Sequence, residues 1–320
     1  LGESTYHEKL PGVVDELVEK GIAVEDQGAI CVFFNRLDDA PEDLKKRKEP
    51  YIIRKKDGAF LYATSDIATI NHRRDHFHAD RALYVVDARQ AFHFKQLFAV
   101  AKLLGHEMDL EHVSFGAVLG TDGKPLKTRD GTPITLVSLL DEAMSRAEAR
   151  IREDEKVRIS DEEMPDARRA VGVGAVKFAD LSQNRTSDYQ FDWDKMISFS
   201  GKSGPYLQYA YARTRSIFRK LGEEPSVAPV RLEAAEEIAL GKVLMRFADV
   251  VYRAAEDYAP HYVCDHLYDL ARAFSSFYEA CHVLNSEGDT RASRLSLTLA
   301  TSSQLKAGLE LLGIDVLERM

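Results

Sequence analysis

The sequence predicts an α/β part followed by an all-α part, and three observations carry that expectation. From Tyr51 onward, short apolar stretches of strand length alternate with apolar repeats at helical spacing. After Gly131 the strand patterns stop. From Tyr206 to Met320 the pattern is helical almost throughout, interrupted by the loops Leu221–Pro229 and Asn285–Thr290. The chain has 320 residues, two or three domains at roughly 100–200 residues each.

The elements follow in order. Val13, Val14, Leu17 and Val18 keep helical spacing up to Gly21, and Ala29–Phe34 reads as a short strand. The charged run Glu42–Pro50 reads as a solvated connector. Tyr51–Arg54 is a strand, Lys56-Asp57-Gly58 a turn, and Phe60–Tyr62 a second strand, followed by a helix from about Thr64 to His72. Arg81–Asp87 reads as a buried strand. Phe94, Leu97, Phe98, Ala101 and Leu104 then repeat at helical spacing up to Gly105, and His112–Leu119 is the next strand. That succession is a βαβ unit, so a parallel sheet is expected. Leu136–Asp154 and Ala167–Leu181 are long helices. Gly172-Val173-Gly174 lacks the third glycine and the preceding strand of a nucleotide fingerprint, so it reads as a packing motif.

Composition narrows function by exclusion. Hydrophobic residues make up 45% and charged residues 30%, an ordinary globular balance. The longest apolar run, Ala170–Val176, is far short of the roughly 18–20 residues of a membrane span. Three cysteines without a CxxC pair give neither a disulfide framework nor a cysteine-rich zinc site, and fit a cytoplasmic protein. With 43 basic and 52 acidic side chains the net charge is −9, which argues against nonspecific DNA coating. His72, His76 and His78 invite a metal reading, but the stretch around them is strongly basic and reads as a solvated helix end. No protein-bound metal is expected.

Ligands of parallel α/β sheets bind beyond the carboxyl ends of the strands. Tyr62, Asp66 and Gln90 fall there. A phenol, a carboxylate and an amide at one pocket floor suit a guanidinium, whose flat fork of N–H donors pairs with a carboxylate. Taken singly, Asp66 also fits a helix start and Gln90 an exposed helix entry. The loop Thr121–Gly131 carries Lys124, Lys127 and Arg129 between glycines. Such a loop gathers triphosphate oxygens and stabilises departing pyrophosphate, or is a solvated basic hairpin. His112-Val113-Ser114-Phe115-Gly116 presents a strand and a glycine to a flat base. The helix Tyr206–Lys220 interleaves Tyr206, Tyr209, Tyr211, Arg213, Arg215 and Arg219, a mixture suited to RNA or to a packed core with wet arginines. Residues 205–320 hold 13 basic and 16 acidic side chains, a net of −3, so any RNA contact needs a local face.

Together, Tyr62–Ala68, Val85–Phe98, His112–Gly131, Phe178–Met196 and Gly204–Arg213 resemble the class I arginyl-tRNA synthetases. Pro260–Leu284 resembles that family's helical anticodon-binding domain, with Asp269-Leu270-Ala271-Arg272 at its signature. The resemblance implies the carboxyl-terminal half of a Rossmann-type catalytic domain over residues 1–135, a helical connecting region over 136–203 and a helical-bundle anticodon domain over 204–320. It implies that Tyr62, Asp66 and Gln90 bind L-arginine, and that His112, Phe115 and Gly116 bind ATP, with Mg2+ accompanying the nucleotide. It further implies that Lys124, Lys127 and Arg129 serve catalysis, and that Tyr206, Gln208, Tyr209 and Arg213 contact arginine tRNA. Neither DNA nor a membrane is an expected partner. The basic loop departs from the class I Lys-Met-Ser-Lys-Ser pattern: Pro125 and Thr128 stand where its lysines belong. No histidine begins a His-x-Gly-His signature. The expectation is therefore a carboxyl-terminal piece of a longer ligase, inactive alone. A cysteinyl enzyme and a noncatalytic tRNA-binding protein are the alternatives.

Overall fold

The computed structural model describes residues 1–120, 123–124, 135–154, 157, 159–222 and 226–320. It divides into two units, Leu1–Phe115 and Gly116–Met320.

In the first unit, α1 (Leu10–Glu19) buries Leu10, Val13, Val14 and Leu17. A three-stranded antiparallel sheet follows, in the order β1 (Val24–Asp26), β2 (Ala29–Val32) and β3 (Tyr51–Arg54), with the single turn of α2 (Glu42–Lys45) between β2 and β3. β1 and β2 are joined by the two-residue turn Gln27-Gly28, which makes that pair an antiparallel hairpin, and β3 returns antiparallel to β2 after the longer connection that carries α2. The strand expected over Phe60–Tyr62 is absent. Lys55 N donates to Ala59 O and Gly58 N to Lys55 O, so the chain closes a tight turn there. Only Phe60 returns to bridge Arg54. Tyr62 instead opens α3 (Tyr62–Asp75).

The expected βαβ unit is present. β4 (Arg81–Asp87), α4 (Ala91–Leu103) and β5 (Asp109–Phe115) form it, and the strands pair in parallel from Arg81↔Asp109 to Asp87↔Phe115. β4 is not buried throughout: Ala82 and Tyr84 face the core, while Leu83 and Val85 on its other face are 44% and 65% exposed. α3, α4 and the two sheets enclose one core containing Leu17, Ile53, Ile67, Ile70, Leu97 and Val100.

In the second unit, β6 (Val118–Leu119) pairs in parallel with β7 (Tyr189–Gln190). The strand expected over His112–Leu119 is therefore two strands, broken at Gly116–Ala117, and strands do not end at Gly131. A two-residue strand carries no readable alternation, which is why β7 escapes the sequence pattern. The division after Phe115 lies twenty residues before the expected boundary at 135. β6, α5 (Leu136–Glu153), α6 (Met164–Leu181) and α7 (Trp193–Met196) share a unit with the carboxyl-terminal helices. Those are α8 (Gly204–Leu221), α9 (Ala235–Leu244), α10 (Phe247–Glu256), α11 (His261–Ala280) and α12 (Gly288–Leu311). Their core includes Leu207, Leu240, Leu267, Leu270, Phe274, Phe277, Leu305 and Leu309.

Two contacts hold this unit tightly. A Cβ built on Gly172 of α6 would lie 2.7 Å from the Met144 backbone of α5, so the helices meet backbone to backbone. At the start of α9 the Glu237 carboxylate, 1% exposed, accepts from the Glu233 and Ala234 amides at 2.8 and 2.9 Å and from Arg294 Nε of α12 at 2.7 Å. Burial works against its charge, but these donors outweigh it and hold its carboxyl below the ordinary glutamate range.

Gly172→Ala is expected to cost about 1–3 kcal/mol through overpacking. Gly12→Ala, in α1 with open space around the added methyl, should be neutral or stabilising by up to about 1 kcal/mol; urea unfolding of both variants checks the contrast. Because Glu237 is depressed on folding, its contribution is complete above the ordinary glutamate range and is lost as pH falls through the folded value. Unfolding midpoints between pH 7 and 3 should fall less steeply in Glu237→Gln than in the unsubstituted chain.

Candidate functional site

The arginine candidates are placed by the starts of two helices. Leu61 is extended and its carbonyl accepts from the Thr64 and Ser65 amides, so α3 begins at Tyr62. Thr64 Oγ1 donates to Ile53 O and ties that first turn to β3. Tyr62 and Asp66 thus stand one turn apart on one face of α3. At the end of β4, Asp87 Oδ1 accepts from the Arg89 amide at 2.8 Å and from Arg89 Nε at 2.9 Å. The Arg89 guanidinium and amide hold the Asp87 carboxyl down at about 2. This turn sets Gln90 as the residue capping α4, with His93 one turn further.

Tyr62, Asp66 and Gln90 line one cavity of about 720 Å³, together with His93, Arg73 and Glu3. Tyr84 and Phe94 supply aromatic wall. Asp66 Oδ2 meets His93 Nε2 at 2.7 Å. The other carboxylate oxygen, Oδ1, takes no hydrogen bond among the described residues. A half-engaged carboxylate beside a phenol and an amide can accept a forked N–H donor. Sequence reasoning missed His93, although its i+3 spacing from Gln90 on a predicted helix was a usable signal.

The nucleotide candidates are distributed differently. His112 sits on β5 opposite Tyr84, donates from Nε2 to Val86 O at 3.0 Å and packs 4.7 Å from the Phe94 ring. Phe115 ends β5 and is 40% exposed. Gly116 begins the second unit, where its amide donates to Arg185 O at 2.7 Å. A Cβ there would lie 2.5 Å from Ser187 O, so this close approach already requires a glycine. Lys124 is exposed, in the turn where Gly120 N donates to Lys124 O. Lys127 and Arg129 lie outside the described residues.

The RNA candidates resolve into surface and core. Tyr206, Tyr209 and Arg213 lie half-buried along α8 beside α11. The Tyr206 ring meets Tyr268 edge-on at 5.8 Å. The Arg213 guanidinium lies 5.0 Å from the Tyr209 ring and 5.6 Å from Tyr278, and donates to Ser275 Oγ at 3.4 Å. Arg272 stands over Tyr268 at 5.8 Å. In Asp269-Leu270-Ala271-Arg272 the middle pair is buried and the outer pair exposed, which is what presents Arg272 on this face. Tyr268 and Tyr278 were not singled out from the sequence; their spacing from Arg272 along α11 was the available signal. Gln208 departs from expectation. It is fully buried, and its amide donates to Ala170 O of α6 at 3.0 Å and to Asp315 O at 2.7 Å. It clamps the carboxyl-terminal segment between helices and offers nothing to a surface ligand. Tyr211 is likewise buried, with its hydroxyl donating to Glu318 at 2.8 Å.

Among the described residues no group of three or more His, Cys, Asp or Glu is arranged to hold a metal, and no helix is long and apolar enough to cross a membrane.

Comparison with known proteins matches both parts. Residues 1–193 match the family model for the catalytic domain of class I (R) tRNA synthetases, and residues 207–320 match the DALR anticodon binding domain. An arginine–tRNA ligase of Alteromonas mediterranea is 47% identical over 329 aligned positions, covering 100% of this chain and 56% of the relative. The arginyl-tRNA synthetase of Plasmodium falciparum superposes with a TM-score of 0.82 at 29% identity, over 100% of this chain and 54% of that one. The Thermus thermophilus arginyl-tRNA synthetase also gives 0.82, at 26% identity over 97% of this chain and 58% of that one. The chain thus spans about half the length of the curated relatives it matches.

Gln208→Leu strands two buried carbonyls and should cost about 1–3 kcal/mol in stability. Filter binding of tRNA by the folded variant should match that of the unsubstituted chain; a selective loss of RNA affinity would restore Gln208 to the interface.

Proposed function

The chain belongs to the class I arginyl-tRNA synthetase family, and from that premise we propose that it supplies the guanidinium pocket and the anticodon-reading face of a cytoplasmic arginine–tRNA ligase. The observation that carries this reading is the convergence of Tyr62, Asp66 and Gln90, from two helix starts, on one cavity with a carboxylate oxygen left open.

In this reading Asp66 Oδ1 accepts from the arginine guanidinium, Gln90 and Tyr62 complete its hydrogen bonds, and the aromatic wall excludes water from the pair. The ligase brings the arginine α-carboxylate against ATP, which enters with Mg2+. A carboxylate oxygen attacks the α-phosphorus, the bond to the bridging oxygen breaks, and pyrophosphate leaves. Lys124, Lys127 and Arg129 are proposed to neutralise the leaving oxyanions. A terminal ribose hydroxyl of the tRNA then attacks the adenylate's carbonyl and AMP departs. No protein nucleophile is needed, because the substrate's own carboxylate attacks; positioning and electrostatics supply the catalysis. His112, Phe115 and Gly116 are proposed to approach the adenine through backbone and ring. Tyr206, Tyr209 and Arg213, joined by Arg272 and Tyr278, are proposed to meet the anticodon loop, with rings stacking on unpaired bases and guanidinium groups on phosphate.

Two titrations test the two halves. Calorimetry should show L-arginine binding that Asp66→Asn weakens about 100-fold by removing a charge-assisted pair, with tRNA affinity unchanged. At near-physiological salt the chain should prefer an arginine tRNA over the same tRNA altered at its central anticodon base, and Arg213→Ala should weaken the preferred complex about tenfold. Equal binding of both RNAs would remove the anticodon assignment from the α8–α11 face.

A further inference from the structure

We propose that His93 is the positioning residue of the guanidinium pocket: its imidazole, locked as the Nε2–H tautomer between Tyr51 and Asp66, holds one oxygen of Asp66 so that the other is presented to arginine. This deepens the arginine reading above and rests on it.

The geometry is a relay of three side chains from three elements. Tyr51 Oη on β3 lies 3.4 Å from His93 Nδ1, and His93 Nε2 on α4 lies 2.7 Å from Asp66 Oδ2 on α3. The Tyr51 and His93 ring centres are 5.9 Å apart. Tyr51 is 6% exposed, and burial, followed by the nearby Asp66 charge, pushes its phenol well above the ordinary tyrosine range. It therefore keeps its proton and has an O–H to give. An ionised carboxylate only accepts, so Nε2 must carry the hydrogen that points at Asp66. When the ring is neutral, Nδ1 is its unprotonated nitrogen and accepts from Tyr51. The two partners fix one tautomer and one ring orientation.

The arrangement bears on specificity. A lone aspartate on the first turns of a helix turns about its two side-chain torsions, and a guanidinium fork then meets a mobile acceptor. With Oδ2 occupied by His93, Oδ1 is the oxygen left for the ligand, and its direction is set by α3 and α4 together. The ring packs against Phe94 and Tyr51, whose ring centres lie 5.4 and 5.9 Å from its own. His93 itself lines the cavity, but its hydrogen is spent on Asp66 and not on the ligand. Its role is to hold the acceptor, whereas Asp66, Tyr62 and Gln90 touch the substrate.

The test uses the 320-residue chain and two kinds of measurement. Long-range ¹H–¹⁵N correlation of the histidine rings should show the neutral His93 ring as its Nε2–H tautomer. An Nδ1–H ring would overturn the proposal whether or not arginine binds. Calorimetric titrations with L-arginine and with citrulline, the uncharged ureido analogue, then compare the unsubstituted chain with His93→Gln and His93→Leu. Arginine affinity should fall about tenfold or more in His93→Leu, and stay within about threefold in His93→Gln, whose amide can still donate to Asp66. Citrulline binding should change far less, because it does not need the oriented charge. Equal losses for both ligands, or no loss in His93→Leu, would reduce His93 to a packing residue. Thermal melts of both variants separate unfolding from loss of binding. Failure of the unsubstituted chain to bind arginine would count against the arginine reading, and the tautomer would still decide the role of His93.

Discussion

The short contact between Asp66 and His93 requires α3 and α4 to be fixed against each other in both height and rotation, and most of the first unit is the means of fixing them. Rotation of α4 by one residue would turn His93 by 100° and carry it out of the cavity. Phe94, Leu97 and Val100 prevent this, because they lie on one face of α4 and are buried to between 0 and 5% exposure. At roughly 1.5–3 kcal/mol for each large apolar side chain, exposing that face is prohibitive. The height of α4 is set by β4, whose seven-residue parallel register with β5 ends at Asp87↔Phe115. The Asp87 turn then converts the strand's end into the start of α4 within three residues. The site is therefore a by-product of core burial and of one capped turn.

The second unit solves a different problem, that of helices packed so closely that their polar groups cannot reach water. α5 and α6 meet at Gly172, and a Cβ on Gly204 of α8 would lie 2.9 Å from the Gly174 carbonyl of α6. Close approach of this kind strands carbonyls, and buried carbonyls need donors. Gln208 supplies two hydrogens to Ala170 and Asp315. Lys177 reaches Gly313 O, and Glu318 receives Tyr211 and Arg215. The carboxyl-terminal segment after α12 is thus a polar strap against α6 and α8, and its own Ile314 is buried. Substitutions in that strap act first on stability.

How much of this was legible in the sequence depended on the range of the interaction that decides each element. Helices with sustained periodicity, such as α5, α6 and α4, were readable to within a few residues because their pattern is local. β4 was readable as a strand, but its exposed Leu83 and Val85 were not, because an apolar run does not say which face is covered. Tyr62 was placed on a strand because its own neighbours are aromatic and aliphatic. The Lys55–Ala59 turn that ends strand pairing before it is a backbone event, with only Asp57-Gly58 as a trace. Asp66 and Gln90 were legible as candidates through side-chain chemistry. His93 was not, because the two partners its ring meets lie 27 and 42 positions away. Gln208 failed in the opposite sense: it sits among exposed-looking tyrosines and arginines, yet helical spacing turns it inward.

The proposed anticodon face has to reconcile an acidic chain with a polyanion. Residues 205–320 carry a net charge of −3, so the proposed RNA contact rests on a local face and not on long-range attraction. The face between α8 and α11 concentrates Arg213 and Arg272 on tyrosine rings while Asp269 and Glu279 stand exposed nearby. The Tyr209 and Tyr278 rings, 5.0 and 5.6 Å from its guanidinium, restrict the Arg213 side chain, which in the proposed reading lowers the entropy lost on meeting phosphate. Few phosphate contacts also mean few released counterions, at a slope of about −0.7 per contact on single-stranded RNA. The proposed reading therefore gives this face an RNA affinity less sensitive to salt than that of a basic nucleic-acid binder, with a larger share from base stacking, the part of the interaction in which bases differ.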